Sequence, residues 1–246
     1  MVMHLSRFSN NVYLHVKWFA DRLDWVPLSF PSVITLTFLF WLAFTLFTLS
    51  IACAVHEPLG RMGPIVSLHH VLHRLRPHTG VILRIGLAVG LMLQLLSGSY
   101  LAPEFRTDSM WIIVGLFTAA ACLLYQRTLP LSGAILFLLY TQASLTYGIF
   151  HSMDYLIYLG IVYHLFVCNT PLKHTASPVL YICTGMSLAW LAMEKLTIPE
   201  LACTVMGGYG LPTFGFTIEH FVLISAFIEL GLAWAFIMGM LNRFTA

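Results

Sequence analysis

The chain has 246 residues, 59% of them hydrophobic and only 9% charged, with a net charge of +2. Soluble domains carry about a quarter charged residues, so this composition excludes a water-solvated globule and makes the lipid bilayer the first partner. The small net charge, with no block of like charge, excludes nucleic acid as a partner.

The first 27 residues are too polar for the apolar core of a signal peptide, so the N-terminus is expected to be retained. Between 10 and 25, Val12, Leu14, Val16, Trp18, Phe19 and Leu23 mix with Lys17, Asp21, Arg22 and Asp24, a pattern that predicts an amphipathic interfacial helix. Residues 1–28 therefore read as an interfacial segment ahead of a transmembrane domain over 29–246. Apolar runs follow at 30–53, 81–101, 110–125, 131–150, 155–168, 178–193 and 221–241, giving an all-α polytopic bundle of about seven spans. The fifth run is short for a span, and it either tilts or joins its neighbour as a re-entrant pair. Pro103, Pro130, Pro171, Pro178 and Pro199 lie at or beside run ends, where proline costs least. Lys and Arg are too evenly divided between the two sides to set an orientation.

The stretch 54–80, between the first two runs, reads as a histidine-rich polar loop. Of eleven histidines in the chain, His69 and His73 stand four apart, so on a helix they share a face and could chelate one metal, with His56 nearby. This resembles one histidine box of the membrane di-iron desaturases and hydroxylases, enzymes that assemble several. The competing reading is an interfacial helix whose histidines lie among headgroups beside Arg74 and Arg76. Five cysteines, Cys53, Cys122, Cys168, Cys183 and Cys203, show no paired-ligand spacing and read as small buried residues.

Glu229 sits inside the last apolar run, where a carboxylate costs roughly 2.5–3.5 kcal/mol on insertion scales and so needs a partner, a proton or a chemical role. With each run centred on the bilayer, Gln94, Gln142, His164 and Glu229 fall at one depth. Such a belt is either a hydrogen-bonded layer, worth about 0.6 kcal/mol per contact, or a quinone and proton site. In the second case His164 and Glu229 exchange a proton as the catalytic pair while Gln94 or Gln142 binds a quinone carbonyl. Arg84, in the first turn of its run, is expected to snorkel or to pair with Glu194 or Glu229, and Glu194-Lys195, at a run end, to reach water.

Over 178–243, Glu194-Lys-Leu196, Gly210-Leu-Pro212, Glu229-Leu-Gly231 and Gly239 follow one another in an order that resembles the DoxX-like membrane family. A fainter likeness begins at Arg84-Ile-Gly86 and runs through four helices to Cys168, with Gly98 and Gly115 as counterparts of family glycines. The resemblance implies that the runs 178–193 and 221–241 are antiparallel neighbours, with Gly185, Ala189, Ala226 and Gly231 near their contact and Gly210 in a compact turn at positive φ. It also implies redox association, because related four-helix proteins include a thiosulfate:quinone oxidoreductase subunit and a component needed for methylamine dehydrogenase maturation. The leading expectation is thus a redox-associated component of a bacterial inner membrane, handling a quinone or supporting an electron-transfer protein. The alternatives are a transition-metal transporter or metal-dependent membrane enzyme using the histidine-rich loop, and an assembly subunit without chemistry of its own.

Overall fold

The computed structural model describes residues 26–60, 63–75 and 78–239, with the backbone alone described for some residues within helices and strands, His56 and His69 among them. The expected interfacial helix at 10–25 lies outside the described residues. In chain order the elements are α1 (Phe30–Val33), α2 (Leu36–Gly60), α3 (Gly63–Leu75), α4 (Thr79–Ser97), β1 (Ser99–Tyr100), β2 (Ala102–Arg106), α5 (Met110–Cys122), α6 (Leu129–Tyr147), α7 (Ile149–Ser152), α8 (Ile157–Val167), α9 (Ala176–Thr197), α10 (Pro199–Tyr209) and α11 (Ile218–Ile237).

Local chemistry sets many of these boundaries. Thr35 and Thr217 accept the backbone N–H groups of Phe38 and His220 and so cap α2 and α11. Proline opens α6 and α10, where its missing N–H is no loss. Gly98 (φ 67°) and Gly210 (φ 59°) end α4 and α10 in the left-handed conformation, which a Cβ would disfavour. At Gly210 the turn expected from the sequence is present, with Leu211 N–H returning to the Met206 carbonyl at 3.1 Å.

Among the described residues, five helices are long and apolar enough to cross a bilayer: Leu36–Val55, Thr79–Ser97, Gln126–Tyr147, Pro171–Thr197 and Ile218–Ile237. Ile149–Tyr155 and Ile157–Val167, bent by 61° at their junction, make a sixth if the pair is one span, whereas Met110–Cys122 is shorter. Much of this apolar surface faces outward, as at Phe47, Leu96 and Trp111, and none of the Leu36–Val55 window is buried. Its natural solvent is lipid. The molecule is a helical integral membrane protein.

α4, α5, α6 and α8 form a bundle around Leu91, Leu116, Leu136, Val162 and Leu165. Its helices are antiparallel in sequence: Arg84 bonds to Leu123 and Leu124, Ser132 to Ala119, and Gly133 faces Leu165. α9 packs on α8, with Gly160 against Leu180 and Cys183, and α11 packs on α9. There Lys195 meets Glu229, while Gly185 faces Ala233 and Ile237, so α9 and α11 are antiparallel neighbours. Gly185 is at their contact as expected. Gly231 instead faces Thr45 of α2, which lies along α11 and parallel to it, as the Phe38–Phe227 contact confirms at the other end.

Two regions depart from the sequence reading. The run expected to extend to 101 stops at Ser97, and 99–106 folds into a hairpin that closes one end of the four-helix bundle. Tyr100, Leu101, Ala102 and Phe105 are buried there, and Phe105 stacks on Tyr147 with ring centroids 4.5 Å apart. The stretch expected to be a histidine-rich loop is instead helical, because α2 continues to Gly60 and α3 starts at Gly63. By sequence, apolar residues recur through it at helical spacing, at 65, 68, 72 and 75.

Candidate functional site

Glu229 lies in the middle of α11, and its carboxylate accepts a hydrogen bond from Lys195 Nζ at 2.5 Å. Each side chain is about three-quarters covered, with 23% and 24% exposed. Lys195 reaches this depth although it is near the end of α9, because a helical side chain leans toward the N-terminal turn. Glu229 Oε2 is buried and has no hydrogen-bond partner among the described residues. Each charge supplies what the other needs in an apolar setting, and one acceptor atom is left over.

The expectation that Glu194 and Lys195 reach water at a helix end is not met. α9 runs on to Thr197, Leu28 N–H bonds to the Thr197 carbonyl, and α10 packs over the helix end, so Glu194 is buried while Lys195 turns to α11. Glu194 shares a stripe of α9 with Ser187 and Trp190. Ser187 Oγ donates to the Asp154 carbonyl at 2.6 Å and accepts from Ile157 N–H, and Trp190 stands edge-on to Phe150 at 5.1 Å. Buried His151 and Asp154 belong to the same bent segment. A polar layer therefore sits where the bent segment 149–157 meets the C-terminal half of α9, the helix that carries Lys195.

The other residues of the expected belt are not brought to Glu229. Gln94 is at the hairpin end of α4, where Oε1 accepts Leu101 N–H and Nε2 donates to Tyr158 Oη, each at 2.9 Å. Gln142 is exposed and donates to Thr146 in its own helix. His164 is near the opposite end of the bundle, beside Arg84, and its buried Nδ1 has no partner among the described residues. Gln94 and Arg84 are separated by roughly 15 Å at about 1.5 Å per residue along α4. Equal depth within separate runs did not translate into one layer: Gln94 near the end of α4 meets Tyr158 at the start of α8, while His164 lies level with Arg84 near the start of α4.

Of the expected metal ligands, His73 is exposed, and the side chains of His56 and His69 lie outside what is described. Among the described residues no group of three or more His, Cys, Asp or Glu could hold a metal ion. Outside the spans, burial acts on Tyr100 and on Cys203. Burial pushes the Tyr100 phenol up, with Tyr147 adding to the effect. Burial likewise raises the Cys203 thiol of α10, and the Glu219 and Glu200 carboxylates raise it further.

Lys195 is the residue that sequence reasoning missed. Its signal was present, since an acid in an apolar run asks for a base, and Lys195 stands at the end of the run 178–193 that the resemblance pairs with the run of Glu229. In comparisons with known proteins, no family model matches the chain, and no curated protein and no solved structure matches it.

Proposed function

We propose that the chain is a redox-associated component of a bacterial inner membrane, with about seven spans and a DoxX-like portion over 178–243, that holds a quinone at the Lys195–Glu229 pair for an electron-transfer protein. The observation that carries this reading is the ion pair itself, set between apolar helices with one carboxylate oxygen that has no partner among the described residues. Lys195 has N–H groups to spare for a carbonyl oxygen, and Glu229 can accept or give a proton beside it.

An apolar groove of about 330 Å³ between α2 and α11 supports the choice of a lipophilic ligand. Leu232, which helps to line it, is three residues from Glu229 and so adjacent on the helix surface. A headgroup at the pair can extend an isoprenoid tail along Phe44, Ile228 and Leu232. Reduction of a quinone takes up two electrons and two protons; the partner supplies the electrons, the pair orients one carbonyl and passes one proton to it, and water supplies the second proton at the other carbonyl.

The test is quinone retention. Protein reconstituted with ubiquinone or menaquinone, then re-extracted in mild detergent, should carry it near stoichiometrically. Lys195→Met should weaken retention ~10-fold or more, the loss expected for one charge-assisted hydrogen bond. Equal retention by the wild type and Lys195→Met would refute the site.

A further inference from the structure

At the end of the bundle opposite the hairpin, a cavity of about 230 Å³ is lined by Gly80, Val81 and Arg84 of α4, Gln126 and Leu129 at the start of α6, and His164, Leu165, Cys168 and Asn169 at the end of α8. Arg84 donates through Nε to the Leu123 carbonyl and through Nη2 to the Leu124 carbonyl, each at 2.8 Å, so the guanidinium is fixed over the C-terminal end of α5. Those bonds use two of its five N–H groups. Its charge meets no carboxylate among the described residues, and no acidic side chain lines the cavity.

Further features add to this positive site. Gly80 and Val81 are in the first turn of α4, whose N-cap residue, His78, makes no side-chain cap bond, so backbone N–H groups and the helix dipole favour an anion there. His164 Nδ1, buried and with no hydrogen-bond partner among the described residues, belongs to the same lining. Gln126 and Asn169 close one side by bonding to each other, Gln126 Nε2 to Asn169 Oδ1 and Asn169 Nδ2 to the Gln126 carbonyl.

A second cavity, independent of the first, bears on what kind of anion fits. An apolar groove of about 360 Å³ runs between α4 and α5, lined among others by Ala88, Leu93, Leu96, Phe117 and Leu124. It begins at Ala88, one helical turn from Arg84, and at Leu124, whose carbonyl holds the guanidinium. From Ala88 to Leu96 it covers roughly 12 Å of helix at about 1.5 Å per residue, the reach of much of an acyl chain. Thr79 opens a membrane-spanning helix, so the cationic end is at headgroup level and the groove runs along the span.

We propose that Arg84, the first turn of α4 and His164 bind the phosphate group of a membrane phospholipid, with one acyl chain in the α4–α5 groove. A phosphodiester carries a single negative charge and so matches the single guanidinium that lines the cavity, which faces no carboxylate among the described residues. This site is separate from the Lys195–Glu229 pair and stands independently of the function proposed there.

Native mass spectrometry of the full chain, extracted from vesicles of equal phosphatidylglycerol and phosphatidylcholine, tests the assignment. One tightly held phospholipid per chain is expected, with Arg84→Gln reducing its retention ~10-fold, the size of a charge-assisted contact. Ala121→Trp, which blocks the groove without touching Arg84, should also release lipid; it supplies the test if Arg84→Gln fails to fold. Diacylglycerol should not compete, and millimolar inorganic phosphate should not displace the lipid. Retention unchanged in both variants, or competition by diacylglycerol, would overturn the site. Displacement by inorganic phosphate would overturn the lipid assignment and identify a free-anion site.

Discussion

Removing Lys195 tests whether the ion pair holds α9 against α11. Glu229 is roughly 16 Å from the start of α11 and about 12 Å from its end, at about 1.5 Å per residue. A lone carboxylate at that depth costs roughly 2.5–3.5 kcal/mol, and breaking a fully buried pair costs about 3–5 kcal/mol. About a quarter of each side chain is exposed, so the pair is only partly desolvated and the expected cost falls just below these ranges. Lys195→Met should therefore destabilise the protein by about 2 kcal/mol. Glu229→Gln should cost less, about 1 kcal/mol, because the lysine it frees can snorkel while a carboxylate cannot. The double variant should be little worse than Lys195→Met alone, giving a coupling of about 1 kcal/mol in a double-mutant cycle. Reversible unfolding in mixed micelles, followed by circular dichroism, supplies the free energies. Single-variant costs that add within ~0.5 kcal/mol would show that the two groups are energetically independent and would refute the reasoning.

Other perturbations probe separate parts of the molecule. Gln94→Leu strips partners from Leu101 N–H and Tyr158 Oη, so a loss of about 1–3 kcal/mol is expected, together with faster hydrogen exchange across 99–106; unchanged exchange would show that the hairpin does not depend on Gln94. A Cβ on Gly185 would stand 2.7 Å from Ile237 and 2.8 Å from the Ala233 carbonyl, so Gly185→Val should separate α9 from α11 and cost about 1–3 kcal/mol, which a wild-type melting temperature would contradict. Because burial, Glu219 and Glu200 all disfavour the Cys203 thiolate, alkylation at Cys203 should require a higher pH than at an unperturbed thiol, and Glu219→Gln should shift its rate profile to lower pH; an unmoved profile would rule out the influence of Glu219. For the transition-metal reading of α3, replacing His69 and His73 with alanine should abolish bound metal without loss of fold, and a wild type that carries no stoichiometric metal after supplementation would end it.

The sequence by itself determined the solvent, the helical class and much of the span boundaries. Composition does this without any tertiary information, because a chain so poor in charge and so rich in long apolar runs can satisfy its backbone in lipid only within helices or a closed barrel. It also marked Glu229 as a residue that must be answered, and the turn at Gly210, where the left-handed backbone favours glycine. Tertiary structure decided what answers Glu229. Run boundaries placed Lys195 at a water-facing end, but the length of α9 and the cover from α10 turned it inward. The belt of Gln94, Gln142, His164 and Glu229 did not form, because depth within a run says nothing about how far neighbouring helices are shifted along one another. The hairpin at 99–106 was hidden for a related reason. Its buried residues, Tyr100, Leu101 and Phe105, are as apolar as those of a span, and only the closing of the bundle over them gives those side chains a core instead of lipid.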